Sequence, residues 1–299
     1  MKVSVVITTF NSEATIEDTL KSVENIANEI IVVDGTSTDG TVKIVSKYTN
    51  RIFIRENYLM LNKNKNFGFE KAQSEWILCL DSDERVTPEL TNEILNLPEN
   101  IGTDGYFIPR KNIIFGKWIE HTGWYPDPQL RLFRKDRGRF AEKHVHEFID
   151  VKGKIETLNS PLTHLNYDSI DQFLNKMVRT YTVSEAENMV EKGYKYNPFD
   201  IVRMPLSEFL KRYFAEEGYK DGMHGLVLSI LMAFYHLVVF VRLWEMNKYP
   251  SIESTDELFD KGSKTIMKEI KYWIIKKKID NESNVFKKHA LRIKRKISS

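Results

Sequence analysis

Ile77-Leu78-Cys79-Leu80-Asp81-Ser82-Asp83-Glu84 is an apolar run that stops abruptly in carboxylates. Four apolar residues bounded by acids predict a buried strand of a parallel sheet. Ligands of open α/β sheets sit beyond the carboxyl ends of the strands, so Asp81 and Asp83 land where such a sheet binds. Two hard oxygen donors at a strand end suit a divalent cation that also holds phosphates. An isolated Asp-x-Asp carries little weight, because such pairs are common in solvated loops. Its surroundings decide.

Upstream, Val3-Ser-Val-Val-Ile-Thr8 is a β-branched run that predicts a first strand. Asn11 or Ser12 is placed to cap a helix reaching about Ile26, with Ala14, Ile16, Leu20 and Val23 facing inward. Glu29–Asp34 predicts a second strand and Arg51–Ile54 a third. Between them, the turn at Gly35–Gly40 leads into a helix over residues 40–48, with Asp39 as its cap. A further helix is expected over residues 65–74, and Pro88 opens another as an N1 proline. Strand and helix alternate four times in the first hundred residues, which gives a parallel sheet with right-handed crossovers. Residues 105–165 carry shorter strand signals, at Tyr106–Pro109, Leu130–Arg134 and Phe148–Val151, and extend the sheet in mixed orientation. From about residue 169 the period is helical. The expected fold class is α/β, with one domain over residues 1–165 and a helical region over 166–299.

With 299 residues, 41% apolar and 29% charged, the composition is that of an ordinary globular chain. The single cysteine, Cys79, cannot form an internal disulfide and fits a reducing compartment. The opening Met-Lys-Val-Ser-Val-Val-Ile is too short and too quickly polar for a signal peptide. The net charge of +2 hides an asymmetry: residues 264–299 hold twelve Lys/Arg against three Asp/Glu, so the rest carries −7. A mildly acidic body argues against a nucleic-acid binder, and a basic tail favours an anionic surface. Gly225–Val241 runs 17 residues without a formal charge, at the lower edge of a membrane span. Ser229, Tyr235 and His236 weaken that reading, while Arg212, Tyr213, Arg242 and Trp244 flank the run as in an interfacial anchor. A core helix or an oligomer contact is the alternative.

Ser4-Val-Val-Ile-Thr-Thr-Phe-Asn11, Ile31-Val-Val-Asp34, Ser37-Thr-Asp39-Gly-Thr41 and Leu80-Asp-Ser-Asp-Glu84 follow in order. Together they resemble family 2 glycosyltransferases of the GT-A fold, a Rossmann-like, mostly parallel mixed sheet flanked by helices. The family commonly reads Val-Asp-Ser-Gly-Ser-Thr-Asp or Val-Asp-Asp-Gly-Ser-Thr-Asp where this chain has Val33-Asp34-Gly35-Thr36-Ser37-Thr38-Asp39. Later pieces resemble the lipopolysaccharide core β-1,4-glucosyltransferase type: Gly123–Asp127, Gln129–Arg134, Val145-His-Glu147, His164 with Tyr167, and Gly218–Gly225.

The resemblance implies an inverting, metal-dependent transfer of a sugar, from a nucleotide donor of the UDP-sugar kind, to a glycan or lipid-linked acceptor. It implies Thr8, Thr9, Asp34, Lys65 and Asp81 at the nucleotide. Asp83 is the first metal ligand, with Asp81 and His146 as candidates, and the cofactor is Mg²⁺ or Mn²⁺. Inversion needs a base on the acceptor side, for which Glu147 and Asp127 qualify. Trp124 and Tyr125 can stack on a sugar face or pack a loop. Arg131 and Arg134 receive no firm role. Placement is expected at the inner face of the cell membrane, peripherally, with a homo-oligomer open. A nucleotidyltransferase is disfavoured by the loop Thr9–Ala14, which lacks Gly and Arg/Lys. A binding protein without catalysis is disfavoured by the intact Asp81/Asp83 pair.

Overall fold

β1 (Val3–Thr9) is buried along its whole length, because both faces of the sheet it occupies are covered. The structure is a computed structural model that describes residues 1–58, 62–98, 102–142, 148–252, 255–280 and 287. After β1 come α1 (Ile16–Val23), β2 (Glu29–Asp34), α2 (Thr41–Val45), β3 (Ile52–Ile54), α3 (Asn62–Lys71), β4 (Trp76–Asp81), β5 (Glu84–Val86) and α4 (Pro88–Leu95). Seven strands follow: β6 (Gly105–Ile108), β7 (Arg110–Ile114), β8 (Lys117–Trp118), β9 (Gln129–Arg134), β10 (Gly138–Arg139), β11 (Asp150–Val151) and β12 (Ile155–Thr157). β13 (Leu162–Tyr167) is the last strand. Among the described residues, the α-helices α5 (Ile170–Lys176), α6 (Thr182–Glu191), α7 (Asp200–Leu210), α8 (Met223–Met246) and α9 (Thr255–Asp280) follow.

The main sheet has the order β12-β6-β9-β4-β1-β2-β3. Its β3-β2-β1-β4 portion is parallel, and β9 joins β4 antiparallel. Strand order reverses between β1 and β4, where an open α/β sheet forms its ligand crevice. A second sheet, β5-β13-β7-β8, lies in the same unit. Alternation along β1 sends Val3, Val5 and Ile7 to a core shared with Ile16, Leu20, Leu90 and Ile94, and Val6 to one shared with Phe69 and Phe133.

Local chemistry sets the helix starts. Thr87 accepts the Leu90 N–H at 3.2 Å and Pro88 follows at the first helical position. α1 starts later than the sequence suggests. Thr15 is its N-cap, and the Ser12 carbonyl receives the Thr15 and Ile16 N–H groups in a preceding turn. The Ser12 hydroxyl is spent elsewhere, 2.8 Å from Ser82 Oγ. α3 lies close on β1 because Gly68 has no Cβ, and one would collide with Val6 Cγ1.

The chain forms two compact units: residues 1–118 with 124–168, and residues 119–123 with everything from Ser169 onward. In the second unit Asp221 Oδ2 accepts from the His121 N–H at 2.9 Å and from Thr122 Oγ1 at 3.0 Å. Gly225 faces the Gly218 carbonyl too closely for any side chain, and Gly222 takes a positive φ of 66°, which accounts for these two glycines of the Gly218–Gly225 motif.

The helix–sheet approach at Gly68 can be tested directly. Gly68→Ala is expected to lower stability by roughly 1–3 kcal/mol through overpacking against Val6. The check is the urea midpoint, and Gly68→Ala combined with Val6→Ala should recover part of the loss.

Candidate functional site

Register places four of the sequence-selected residues side by side. Thr8 pairs with Asp81 across β1/β4, and Thr9 pairs with Asp34 across β1/β2. Thr8 and Thr9 are buried, and Thr9 Oγ1 has no hydrogen-bond partner among the described residues. A buried hydroxyl left in this state at a strand end is suited to a ligand. Asp34 is also buried, and it accepts from the Ser37 N–H at 2.8 Å and Ser37 Oγ at 2.6 Å. It therefore shapes the turn that follows β2. That turn is latched to the loop after β1 by Thr38 N–H to Asn11 Oδ1 and Ser12 N–H to Thr41 Oγ1, both 2.8 Å. Asp39 is not the cap expected of it: Gly40 holds that position, and Asp39 Oδ1 accepts from the Thr41 N–H at 3.0 Å in the turn just before the helix.

The end of β4 is a network of buried charge. Lys65 is buried rather than solvated, and its Nζ lies 2.6 Å from Asp81 Oδ1. Arg131 Nη2 lies 2.6 Å from Asp81 Oδ2 and 2.7 Å from Glu84 Oε1. Glu84, fully buried, uses Oε2 to accept the Asp81 N–H at 3.0 Å, closing the turn through Ser82 and Asp83. Burial alone would depress Lys65, but the Asp81 carboxylate outweighs it and its pKa is raised. Arg131 follows the same logic, with Glu84 and Asp81 holding its charge on. Burial would raise the Asp81 pKa, yet Lys65 and Arg131 prevail and hold it well below the usual carboxylate range.

Behind this network stands the second sheet. Its register aligns Glu84, His164 and Asn112 across β5, β13 and β7. Asn112 Nδ2 donates to the Trp124 carbonyl at 2.7 Å and to Asp127 Oδ2 at 3.1 Å, so Asn112 Oδ1 is an acceptor. His164 Nδ1 sits 2.7 Å from that oxygen and must carry the proton there. Burial pushes His164 down to about 4, with Arg110 and Arg131 adding to the effect, so the ring is neutral at pH 7. Its Nε2, then unprotonated, lies 3.7 Å from Asp83 Oδ1. The Asp83 carbonyl accepts the Leu165 N–H at 3.0 Å, which fixes Asp83 alongside β13.

Asp127 is heavily engaged. Its Oδ2 accepts Arg110 Nε at 3.0 Å and Nη2 at 2.6 Å besides Asn112, and Gln129 Nε2 lies 3.2 Å from Oδ1. These contacts hold it at a backbone φ of 38°. Trp124 packs edge-on against Tyr167 at 6.2 Å, and Tyr125 edge-on against Trp118 at 5.7 Å.

Thr8, Thr9, Asp34, Lys65 and Asp81 are thus brought together, as are Asp83 and Asp127 with their partners. His146 and Glu147 lie outside the described residues. Arg131, Glu84, Arg110 and Asn112 have no firm role from sequence, and His164 enters there only as part of the later resemblance. The available signal was the single arginine inside Leu130-Arg-Leu-Phe133, a strand buried on both faces, which requires an acidic partner.

A sheet that reverses its order beside an acidic strand end, with a second sheet in the same unit, is the arrangement expected of the GT-A fold. The sequence profile described as Glycosyl transferase family 2 matches residues 4–151. A glycosyltransferase of Rickettsia typhi is 30% identical over 258 residues, covering 82% of this chain and 88% of that one. The chain belongs to glycosyltransferase family 2. It is also 25% identical over 266 residues to the lipopolysaccharide core biosynthesis glycosyltransferase LpsC of Rhizobium meliloti, covering 86% and 97% of the two chains. Among solved structures, TarS residues 1–349 of S. aureus in complex with UDP-GlcNAc superimposes with a TM-score of 0.42 at 16% identity, covering 85% and 93%.

Removing Arg131 alone takes from the fully buried Glu84 its nearest cation, leaving Arg110 at 3.6 Å, and leaves Asp81 with Lys65. Arg131→Ala is expected to cost roughly 3–5 kcal/mol, measured by urea unfolding. A loss too small to measure would contradict the network.

Proposed function

We propose that the chain moves a sugar, with inversion, from a UDP-sugar to a glycan or lipid-linked acceptor in cell-surface polysaccharide or lipopolysaccharide synthesis. It works in the cytoplasm at the inner face of the cell membrane. The acceptor class is supported by the role of the Rhizobium meliloti relative in lipopolysaccharide core biosynthesis.

The observation that carries this reading is the Asp83–His164 pair, a carboxylate oxygen and a neutral imidazole nitrogen 3.7 Å apart. Among the described residues no third His, Cys, Asp or Glu joins the pair in a metal-holding group, so the two supply a partial shell, and the charge around them leans negative. Asp81, Asp83, Glu84 and Asp127 stand against Lys65, Arg110 and Arg131, so these seven residues carry a net negative charge. Asp83 and His164 would hold Mg²⁺ or Mn²⁺, with His164 in the part that sequence offered to His146. The bound cation supplies charge neutralisation for the departing diphosphate.

The remaining roles fall to the protein's own groups. Thr8, Thr9 and the Asp34 turn receive the nucleoside. Asp81 keeps lone pairs beyond those used by Lys65 and Arg131, for a donor hydroxyl. Asp127 accepts four hydrogen bonds, about the capacity of a carboxylate, which favours an anchoring part in the acceptor loop. Glu147 is then the base that takes the acceptor proton.

UDP titrated calorimetrically should bind more tightly with Mn²⁺ than without it. Asp83→Ala and His164→Ala should each abolish that difference. Asn112→Ala, which releases the His164 ring, should weaken Mn²⁺ about ten- to a hundredfold. Metal-independent UDP binding in the native chain would argue against the mechanism.

Glu147→Gln is expected to lower transfer by about 10²–10⁴-fold while UDP and Mn²⁺ binding survive. Asp127→Asn should retain more activity than Glu147→Gln. The reverse order, in steady-state release of UDP from a donor screen, would exchange the two roles.

A further inference from the structure

α8 is long and apolar enough to cross a membrane, yet only 33% of its most apolar window is buried. A core helix of that composition would be mostly covered. Of its five exposed apolar residues, Met246, 45% exposed, closes the helix off the line of the other four. At about 100° per residue, Met223, Ile230, Phe234 and Val241 project within roughly 20° of one line. They are 71%, 52%, 45% and 45% exposed. Gly225, Leu228, Ser229, Val239, Phe240 and Leu243 are buried on the opposite half.

Polar contacts pin that opposite half to its own unit. Tyr235 OH lies 3.2 Å from Glu185 Oε2, and His236 Nε2 lies 3.6 Å from Glu208 Oε2. Arg242 Nε donates to Thr182 Oγ1 at 2.9 Å. A spanning orientation would carry Glu185, Glu208 and Arg242 into hydrocarbon, at a cost of several kcal/mol. α8 therefore cannot span while it stays packed.

α9 repeats the pattern with charge added. Met267, Lys271, Ile274 and Lys278 are all exposed and recur at helical spacing, while Ile275 and Ile279 are buried. Lysines beside an exposed apolar line place their stems on apolar surface and their ammonium groups at anionic headgroups. Residues 264–299 hold nine more cationic than anionic side chains. Each basic side chain close to an anionic leaflet contributes about 1 kcal/mol.

From this we infer that α8 lies in the plane of an anionic bilayer surface, its Met223–Ile230–Phe234–Val241 line sunk at the headgroup boundary, with the basic α9 and tail adding the charge attraction. The inference rests on the proposed lipid-linked acceptor and names the surface that meets it.

The test is flotation of the full chain with vesicles of phosphatidylcholine alone and of phosphatidylcholine mixed equally with phosphatidylglycerol. The native chain should float with the anionic vesicles and stay behind with the neutral ones. Ile230→Glu with Phe234→Glu should weaken anionic-vesicle binding at least about tenfold, and Lys271→Glu with Lys278→Glu should also weaken it. UDP binding in both variants should match the native chain, which separates a lost surface from a lost fold. Native-level flotation of the Ile230/Phe234 variant would overturn the inference. So would light scattering showing a native dimer that becomes a monomer in that variant with no vesicle binding, because a second copy would then cover the face. UDP binding is scored apart from flotation, so a failed donor reading and a failed membrane surface give different results.

Discussion

Two cations buried beside the fourth parallel strand constrain everything around the crevice. Lys65 and Arg131 can leave water only because Asp81 and Glu84 meet them. The same contacts fix both carboxyl groups, and Glu84 also closes the turn through its bond to the Asp81 N–H. Ser82 and Asp83 are therefore delivered to one place with little freedom. An ordinary strand-end aspartate pair becomes a rigid one, and rigidity is what a metal or phosphate site requires.

The second sheet adds what the first lacks. β13 and β7 carry His164 and Asn112 at matched register, and a single amide orients the ring. Because Asn112 also holds the Trp124 carbonyl and Asp127, one side chain links the neutral imidazole to the aromatic loop. Electrostatics and loop geometry are thus set by the same small group of hydrogen bonds. Disturbing any member should be felt at both ends, and pairwise deletions here will not add.

Much of the sheet was legible in sequence because its signals are local. Val3–Thr8, Glu29–Asp34 and Ile77–Leu80 are β-branched or apolar runs that can be read one at a time, and the ordered motifs pointed to Thr8, Asp34, Lys65 and Asp81. Arg131 was not legible, because it meets Asp81 from fifty positions away in sequence. The surroundings of His164 were not legible for a similar reason: its pairing with Glu84 and Asn112 is made across strands distant in sequence. In the helical unit, hydropathy detected an uncharged run but not its sides. Tyr235 and His236 counted against a membrane span, and they belong to the packed half, with Tyr235 OH 3.2 Å from Glu185 and His236 Nε2 3.6 Å from Glu208. Composition reports how apolar a helix is, whereas its exposed line emerges only once the neighbours are placed.

The central claim is that Asp83 and the neutral Nε2 of His164 grip one divalent cation beside the nucleotide. Pulsed electron paramagnetic resonance of the chain with Mn²⁺ and UDP reads this directly, through the coupling of the metal electron spin to a ligand nitrogen. A directly bound imidazole predicts a nitrogen coupling that disappears in His164→Ala. A spectrum without that coupling, or one unchanged in His164→Ala, would contradict the account.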